Sequence, residues 1–164
     1  MDVELPADFR ECFACLNARG VEYLLVGGYA VGYHGYPQAT NAIDVWVRRT
    51  EENAQRIVLA LQDFGFSVPE LSVALFLDDR RIIRIGRPPL RIGIATTLSG
   101  VDFDSCYESR DMAGMGALSI PIIHRDHLLA NKRSAGRPKD LADVDFLEPQ
   151  QRPKRTTGKT IWQA

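Results

Sequence analysis

With 164 residues, 45% of them hydrophobic and 25% charged, the chain is long enough for one domain with a sizeable core and too short for two full ones. Lysine and arginine (20) nearly balance aspartate and glutamate (21), for a net charge of -1, which excludes a strongly basic nucleic-acid clamp and a highly charged disordered chain. No apolar run approaches the roughly 20 residues that cross a bilayer, and the opening Met-Asp-Val-Glu-Leu-Pro lacks the layout of a secretory signal, so the expectation is a cytoplasmic protein with no membrane partner.

The first predicted element is a helix from about Pro6 to Arg19, with Pro6 in the first turn and Gly20 just past the end. Glu22-Tyr-Leu-Leu-Val26 follows as a short buried strand running into Gly27-Gly28. Tyr29 to His34 reads as a brief helix, and Gly35 to Asn41 as a loop. In the next strand, Ile43-Asp-Val-Trp-Val47, alternation puts Ile43, Val45 and Val47 on one face and Asp44 and Trp46 on the other. Thr50 is placed to cap a helix that carries Ile57, Val58, Leu61 and Phe64 at helical spacing and ends at Gly65.

Two strands are predicted next, Arg81–Ile85 and Leu90–Ile94, joined by Gly86-Arg-Pro-Pro89, because neither proline can donate to a ladder. A short helix over Asp102–Arg110, a strand over Ala117–Ile123 and two helices, Asp126–Arg133 and Lys139–Leu147, complete the order. Residues 1–149 form the predicted domain. Residues 150–164 carry Arg152, Lys154, Arg155 and Lys159 with no acid, and are expected to form a mobile basic tail. The mixed order, with a hairpin in the middle, predicts an α+β fold: a small mixed sheet with helices packed on it.

Three cysteines do not make a disulfide framework. Cys12 and Cys15 form a CxxC, but they fall on the apolar helical face of Phe9, Phe13 and Leu16 and are expected in the core. His124 and His127 form an HxxH with no third ligand at a familiar spacing. A redox or zinc site built on Cys12, Cys15 and His127 is the weakest of the functional readings.

The chemistry concentrates in three segments: Leu25-Val-Gly-Gly-Tyr-Ala-Val31, Thr40-Asn-Ala-Ile-Asp-Val-Trp-Val47, and Leu128 to Asp143. A strand ending in two glycines lets backbone N–H groups approach an anion. Together the segments resemble the nucleotidyltransferase superfamily, in particular the small bacterial branch related to AbiEii/AbiGii-type toxins. That pattern has an apolar residue, Gly, then Gly or Ser, a spacer, and two acids separated by one apolar residue. Here Val26-Gly27-Gly28 is followed by thirteen residues, 29 to 41, and then Ala42-Ile43-Asp44-Val45. The segment Lys132-Arg-Ser-Ala-Gly-Arg137-Pro-Lys139-Asp140 is similar to the branch's closing helix pair.

The resemblance covers about residues 9–148 and implies a nucleotidyltransferase (polymerase-beta-like) fold. It implies a nucleoside triphosphate as ligand, Mg2+ as cofactor, and a tRNA, protein or small-molecule acceptor. Asp44 would be the catalytic and metal-binding acid, with Gly27, Gly28, Lys132, Arg137 and Lys139 meeting the nucleotide. Two-metal sites hold their ions about 3.5–4 Å apart on hard oxygen ligands, and acids at i and i+2 of a strand serve because they point the same way.

The sequence departs from the pattern on the working positions. Ala42 stands where the first acid is expected, Gly93 in Arg91-Ile-Gly-Ile94 where the third is, and Gln38 where the loop usually has Arg. One of three metal carboxylates remains, so little or no transfer is expected. Asp102 and Asp104 form another i, i+2 pair, but Asp102 sits where a helix cap belongs. Asp140 and Asp143 are expected to pair locally with Arg137 or Lys139, and the basic run at 132–139 is either a solvated face or a phosphate contact. The competing function is a non-catalytic nucleotide- or partner-binding protein, in the setting of a toxin–antitoxin pair.

Overall fold

A computed structural model describes residues 5–38, 40–79, 81–86 and 90–148. The predicted tail lies outside the described residues. Helix α1 (Ala7–Ala18) is followed by β1 (Tyr23–Val26), α2 (Gly27–Tyr33), β2 (Ala42–Val47) and α3 (Glu51–Asp63). After a 3-10 turn at Val73–Phe76 come β3 (Ile82–Ile85), β4 (Arg91–Ala95), α4 (Phe103–Glu108), β5 (Asp111–Met115), β6 (Leu118–Ile122), α5 (Arg125–Ala135) and α6 (Pro138–Leu147). The strands form one six-stranded sheet in the order β3-β4-β2-β1-β6-β5. Pairs β2/β4 and β1/β6 are parallel and the others antiparallel, which is the mixed α+β sheet expected.

The two faces of the sheet differ in their cover. Tyr23 lies opposite Val47 and shares a face with Leu25, Val45 and Ile43. Phe13 of α1 stacks on Tyr23 with ring centroids 5.8 Å apart, and α3 packs on α1, so these helices cover that face. The other face carries Ala42, Asp44 and Trp46, and there Trp46 meets Phe103 of α4 edge-on. Thr50 caps α3 by accepting a hydrogen bond from Asn53 N–H. Buried Asn53 in turn bonds Glu22 N–H at 2.8 Å, Glu22 C=O at 3.0 Å and Arg48 C=O at 2.8 Å, so one side chain ties the first turn of α3 to the chain flanking β1 and β2.

Three features differ from the sequence reading. Helix α2 begins at Gly27 itself rather than at Tyr29, and the 3-10 turn at Val73–Phe76 was not foreseen. Strand β5 was also missed, because Asp-Met-Ala-Gly-Met has no β-branched residue and contains glycine. Its signal is the turn: Met115 pairs Leu118 across Gly116-Ala117, and Gly116 has φ 59°, so this is a two-residue hairpin connection.

The cysteines sit mainly in apolar surroundings. Burial pushes the Cys12 thiol up to about 12 and the Cys106 thiol up to about 11. Cys15 is only partly buried. Maleimide labelling of native protein near neutral pH should therefore modify Cys15 first, with Cys12 and Cys106 reacting only after denaturation; equal rates at all three would contradict the packing. His124 caps α5, its ring Nδ1 accepting from Asp126 N–H at 3.1 Å. Among the described residues, no group of three or more His, Cys, Asp or Glu is placed to hold a metal ion, and no helix is long and apolar enough to cross a membrane.

Candidate functional site

The handover from β1 to α2 is shaped by Asp44. Gly27 has φ 70°, and a Cβ there would lie 2.6 Å from Asp44 Oδ2. Backbone conformation and space therefore both require glycine. At Gly28 a Cβ would lie 3.3 Å from Gln38 Oε1, so the two glycines let the Asp44 carboxylate and the Gln38 amide close against the turn.

Asp44 lies opposite Val26 in β1 and opposite Gly93 in β4, and Gly93 lies opposite Arg84 in β3. Residues in register share a face. Asp44, Gly93 and Arg84 thus form a row across the sheet, on the face turned away from α1 and α3. A Cβ at Gly93 would be 2.5 Å from Asp44 Oδ1, so the carboxylate occupies the space that a side chain at 93 would take. Ala42 is on the same face, in register with Arg91. Arg84 and Arg91 are both exposed. Burial pushes the Asp44 carboxyl above its ordinary value, against the opposing pull of Arg84 and Lys132.

Behind the row lies a buried ionic cluster. Lys132 is 7% exposed, and its Nζ stands 3.3 Å from Asp140 Oδ1 and 3.1 Å from Asp143 Oδ2. Arg137 completes the coverage of Asp140, with Nε at 2.6 Å and its backbone N–H at 3.3 Å. Burial alone would raise the Asp140 carboxyl, but hydrogen bonds from Arg137 and Lys132 outweigh it and hold the group below the usual carboxylate range. Gln38 Nε2 donates to Asp143 Oδ1 at 2.8 Å, and Lys139 Nζ is 3.5 Å from Gln38 Oε1 and 3.6 Å from Asp143 Oδ2. One cluster therefore joins α5, α6 and the loop after α2.

The structure brings Gly27, Gly28, Ala42, Asp44 and Gly93 together, with Gln38 and Lys139 beside them. Arg137 is on the outer side of Asp140. The expected local pairs Arg137–Asp140 and Lys139–Asp143 are present, but the sequence reading missed that both acids converge on Lys132. A solvated face describes Arg133, Arg137 and Lys139, and not Lys132. Arg84 was also missed: nothing in the linear order announces which residue of β3 faces Gly93. Asp102 caps α4, and the hydrogen bond from Ser105 N–H holds its carboxyl below the ordinary range. Asp104 pairs with Arg48, whose guanidinium lies 4.8 Å over the Phe103 ring. A cavity of about 340 Å³ adjoins this pair at the far end of β2, lined by Trp46, Arg48, Thr50, Thr96 and Phe103.

The donor set on the Asp44 face does not fit a pair of magnesium ions. Asp44 can offer one ligand to a cation carried in on phosphates. Ala42 and Gly93 offer none, Asp140 and Asp143 are committed to Lys132, and the charge next along the row is the Arg84 guanidinium. A site for two divalent cations calls for clustered carboxylates. This face presents cations instead.

The same fold occurs in TM1012 of Thermotoga maritima, a candidate nucleotidyltransferase, at 14% identity over 84% of this chain and 88% of that one, with TM-score 0.57. It also occurs in the lincosamide antibiotic adenylyltransferase LnuA, solved with lincomycin bound, at 13% identity over 89% of this chain and 98% of that one, with TM-score 0.52. At these identities the likeness establishes a nucleotidyltransferase-like fold, and the fold alone. No protein-family model and no curated protein matches the sequence.

Proposed function

We propose that the chain is a nucleotidyltransferase-fold protein whose cleft holds a nucleoside triphosphate with little or no transfer of its nucleotidyl group. The observation that carries this reading is the row Asp44–Gly93–Arg84. It keeps one acid, leaves the next position without a side chain, and follows it with a cation. Two-metal transfer needs both the attacking and the leaving oxygen clamped, and among the described residues this face offers no second carboxylate to hold the second ion. Gly27 and Gly28 let the Asp44 carboxylate and the Gln38 amide pack against the turn, and Lys139 stands beside Gln38.

The polar row against Gly27-Gly28 is the part of the chemistry least explained by stability. A core-facing row would place an apolar residue at 44, as β2 does at 43, 45 and 47. Descent from a transferase in the AbiEii/AbiGii-type branch, Mg2+ use by that ancestor, and a toxin–antitoxin setting belong to the same proposal and rest on the resemblance of residues 26–45 and 132–140.

The test joins a binding and a transfer measurement. Calorimetry with ATP and CTP should give binding, and labelled triphosphates with magnesium and total tRNA should give no product above background. Steady transfer by the unmodified chain overturns the non-catalytic reading. Absence of all nucleotide binding favours the alternative, a partner-binding protein. One observation supports that second reading: Leu141 and Phe146 of α6 are 46% and 52% exposed, with Phe146 stacked on Tyr36 at 3.9 Å.

A further inference from the structure

On the reading that this cleft holds a triphosphate, we infer that Arg84 takes the electrostatic place of the missing metal, so that the preferred ligand is the metal-free polyphosphate rather than its magnesium complex. The two positions without carboxylates, Ala42 and Gly93, each lie in cross-strand register with an arginine, Arg91 and Arg84. Directly opposed residues point to the same face. Strands are about 4.8 Å apart, so Arg84 stands two strands from Asp44 with only the bare glycine between them. With no side chain at 93, the Asp44 carboxylate leans over that position toward β3, and the Arg84 charge acts on it there.

Charge bookkeeping around Asp44 points the same way. Arg84 and Arg91 have no carboxylate within ion-pair distance among the described residues, whereas Lys132 is neutralised by Asp140 and Asp143. On the opposite side of Asp44, beyond Gly27 and Gly28, Lys139 is 67% exposed at its side chain and shares Asp143 with Lys132. An extended polyanion lying across the face would meet Arg84 at one end and Lys139 at the other. Guanidinium groups bind phosphate oxygens bidentately without needing a bridging ion. Asp44 is then the one unfavourable charge in the path, tolerable because its carboxylate is seated between Gly27 and Gly93.

This inverts the role of Asp44. Where a metal bridges carboxylate and phosphate, removing the carboxylate abolishes binding. Where a cation of the protein has replaced the metal, removing it relieves a repulsion and tightens binding. Asp44→Asn is nearly isosteric and keeps the contacts with both glycines, so the sign of its effect discriminates between the two.

The experiment is calorimetric titration of the full chain with sodium tripolyphosphate and with ATP, in EDTA and in excess magnesium. Four proteins are compared: the natural chain, Asp44→Asn, Arg84→Gln, and Arg56→Gln on the surface of α3 as a control. In EDTA, Asp44→Asn should bind about threefold or more tighter, as expected for loss of a like charge in a partly buried site. Arg84→Gln should lose about tenfold, the ordinary worth of a charge-assisted phosphate contact. Arg56→Gln should match the natural chain, and excess magnesium should weaken binding of both probes.

Binding that requires magnesium, or is lost in Asp44→Asn, or is indifferent to Arg84→Gln, overturns the inference while leaving the triphosphate reading intact. No binding of either probe under any condition, with all four proteins folded by circular dichroism, removes both.

Discussion

Lys132→Met should lower folding stability by about 3–5 kcal/mol, the usual cost of removing one partner from a buried ion pair. Lys132 is 7% exposed, and its two carboxylates, Asp140 and Asp143, are each 1% exposed. Once the ammonium is gone, Asp140 keeps Arg137 and Asp143 keeps Gln38, while Asp143 Oδ2 retains only the partly solvated Lys139 at 3.6 Å. An uncompensated carboxylate in that position costs far more than the lost attraction. The melting temperature should fall by roughly 10 °C or more for a domain of this size.

The combination Lys132→Met with Asp143→Leu should recover much of that loss, since replacing both partners by apolar groups removes the stranded charge. Urea unfolding of the natural chain and the two variants checks both statements. A loss under about 1 kcal/mol for the single variant would mean the cluster is hydrated rather than buried. The same cluster sets an acid limit. Asp140 is held below its ordinary value when folded, so its contribution is fully present above the unfolded carboxylate value near 4, and fades as pH falls through the lower folded value. Asp140→Asn should flatten that part of the stability–pH curve.

The second large effect is a gain of function. The double variant Ala42→Asp, Gly93→Asp should acquire a divalent-cation site, where the described residues of the natural chain hold no group of three or more potential metal ligands. Residues 42 and 44 point to the same side of β2, and 93 lies directly beside 44 in β4. A Cβ at 93 meets Asp44 Oδ1 at 2.5 Å, so the Asp44 carboxylate must rotate, and it is the mobile end of a side chain that yields. With no cation present, three adjoining carboxylates repel, and the variant should melt below the natural chain. Manganese at about a hundred times its dissociation constant should then restore about 2.7 kcal/mol by mass action.

Thermal melts with and without about 10 mM manganese supply the measurement: a rise of several degrees for the double variant and none for the natural chain. A folded double variant whose melting temperature ignores the metal would show that 42, 44 and 93 do not converge. Arg84 opposes the cation in this design, so adding Arg84→Gln should deepen the metal response.

Much of the architecture was legible because it rests on local rules. Alternation in Ile43–Val47 placed Asp44 on the face opposite the core residues, helical spacing identified the buried face of α1, and Thr50 and Asp102 announced two caps. Strand β5 was not legible, since its residues carry no strand preference and its place depends on pairing with β6. The convergence of Asp140 and Asp143 on Lys132 was hidden for a different reason. At spacings of three and four residues each acid has a basic neighbour on its own helix or just ahead of it, and a linear reading stops there.

The sequence by itself determined most of the element order, the glycine turn after β1, and that positions 42 and 93 carry no carboxylate, because side-chain chemistry and backbone periodicity act over a few residues. Only the tertiary structure decided that Gly93 stands beside Asp44, that Arg84 stands next in line, and that Lys132 is walled in. Those facts depend on the parallel register of β2 with β4, the hairpin register of β3 with β4, and the docking of α6 on α5. Such long-range alignments are selected by the burial of the whole core, and no short stretch of the chain encodes them.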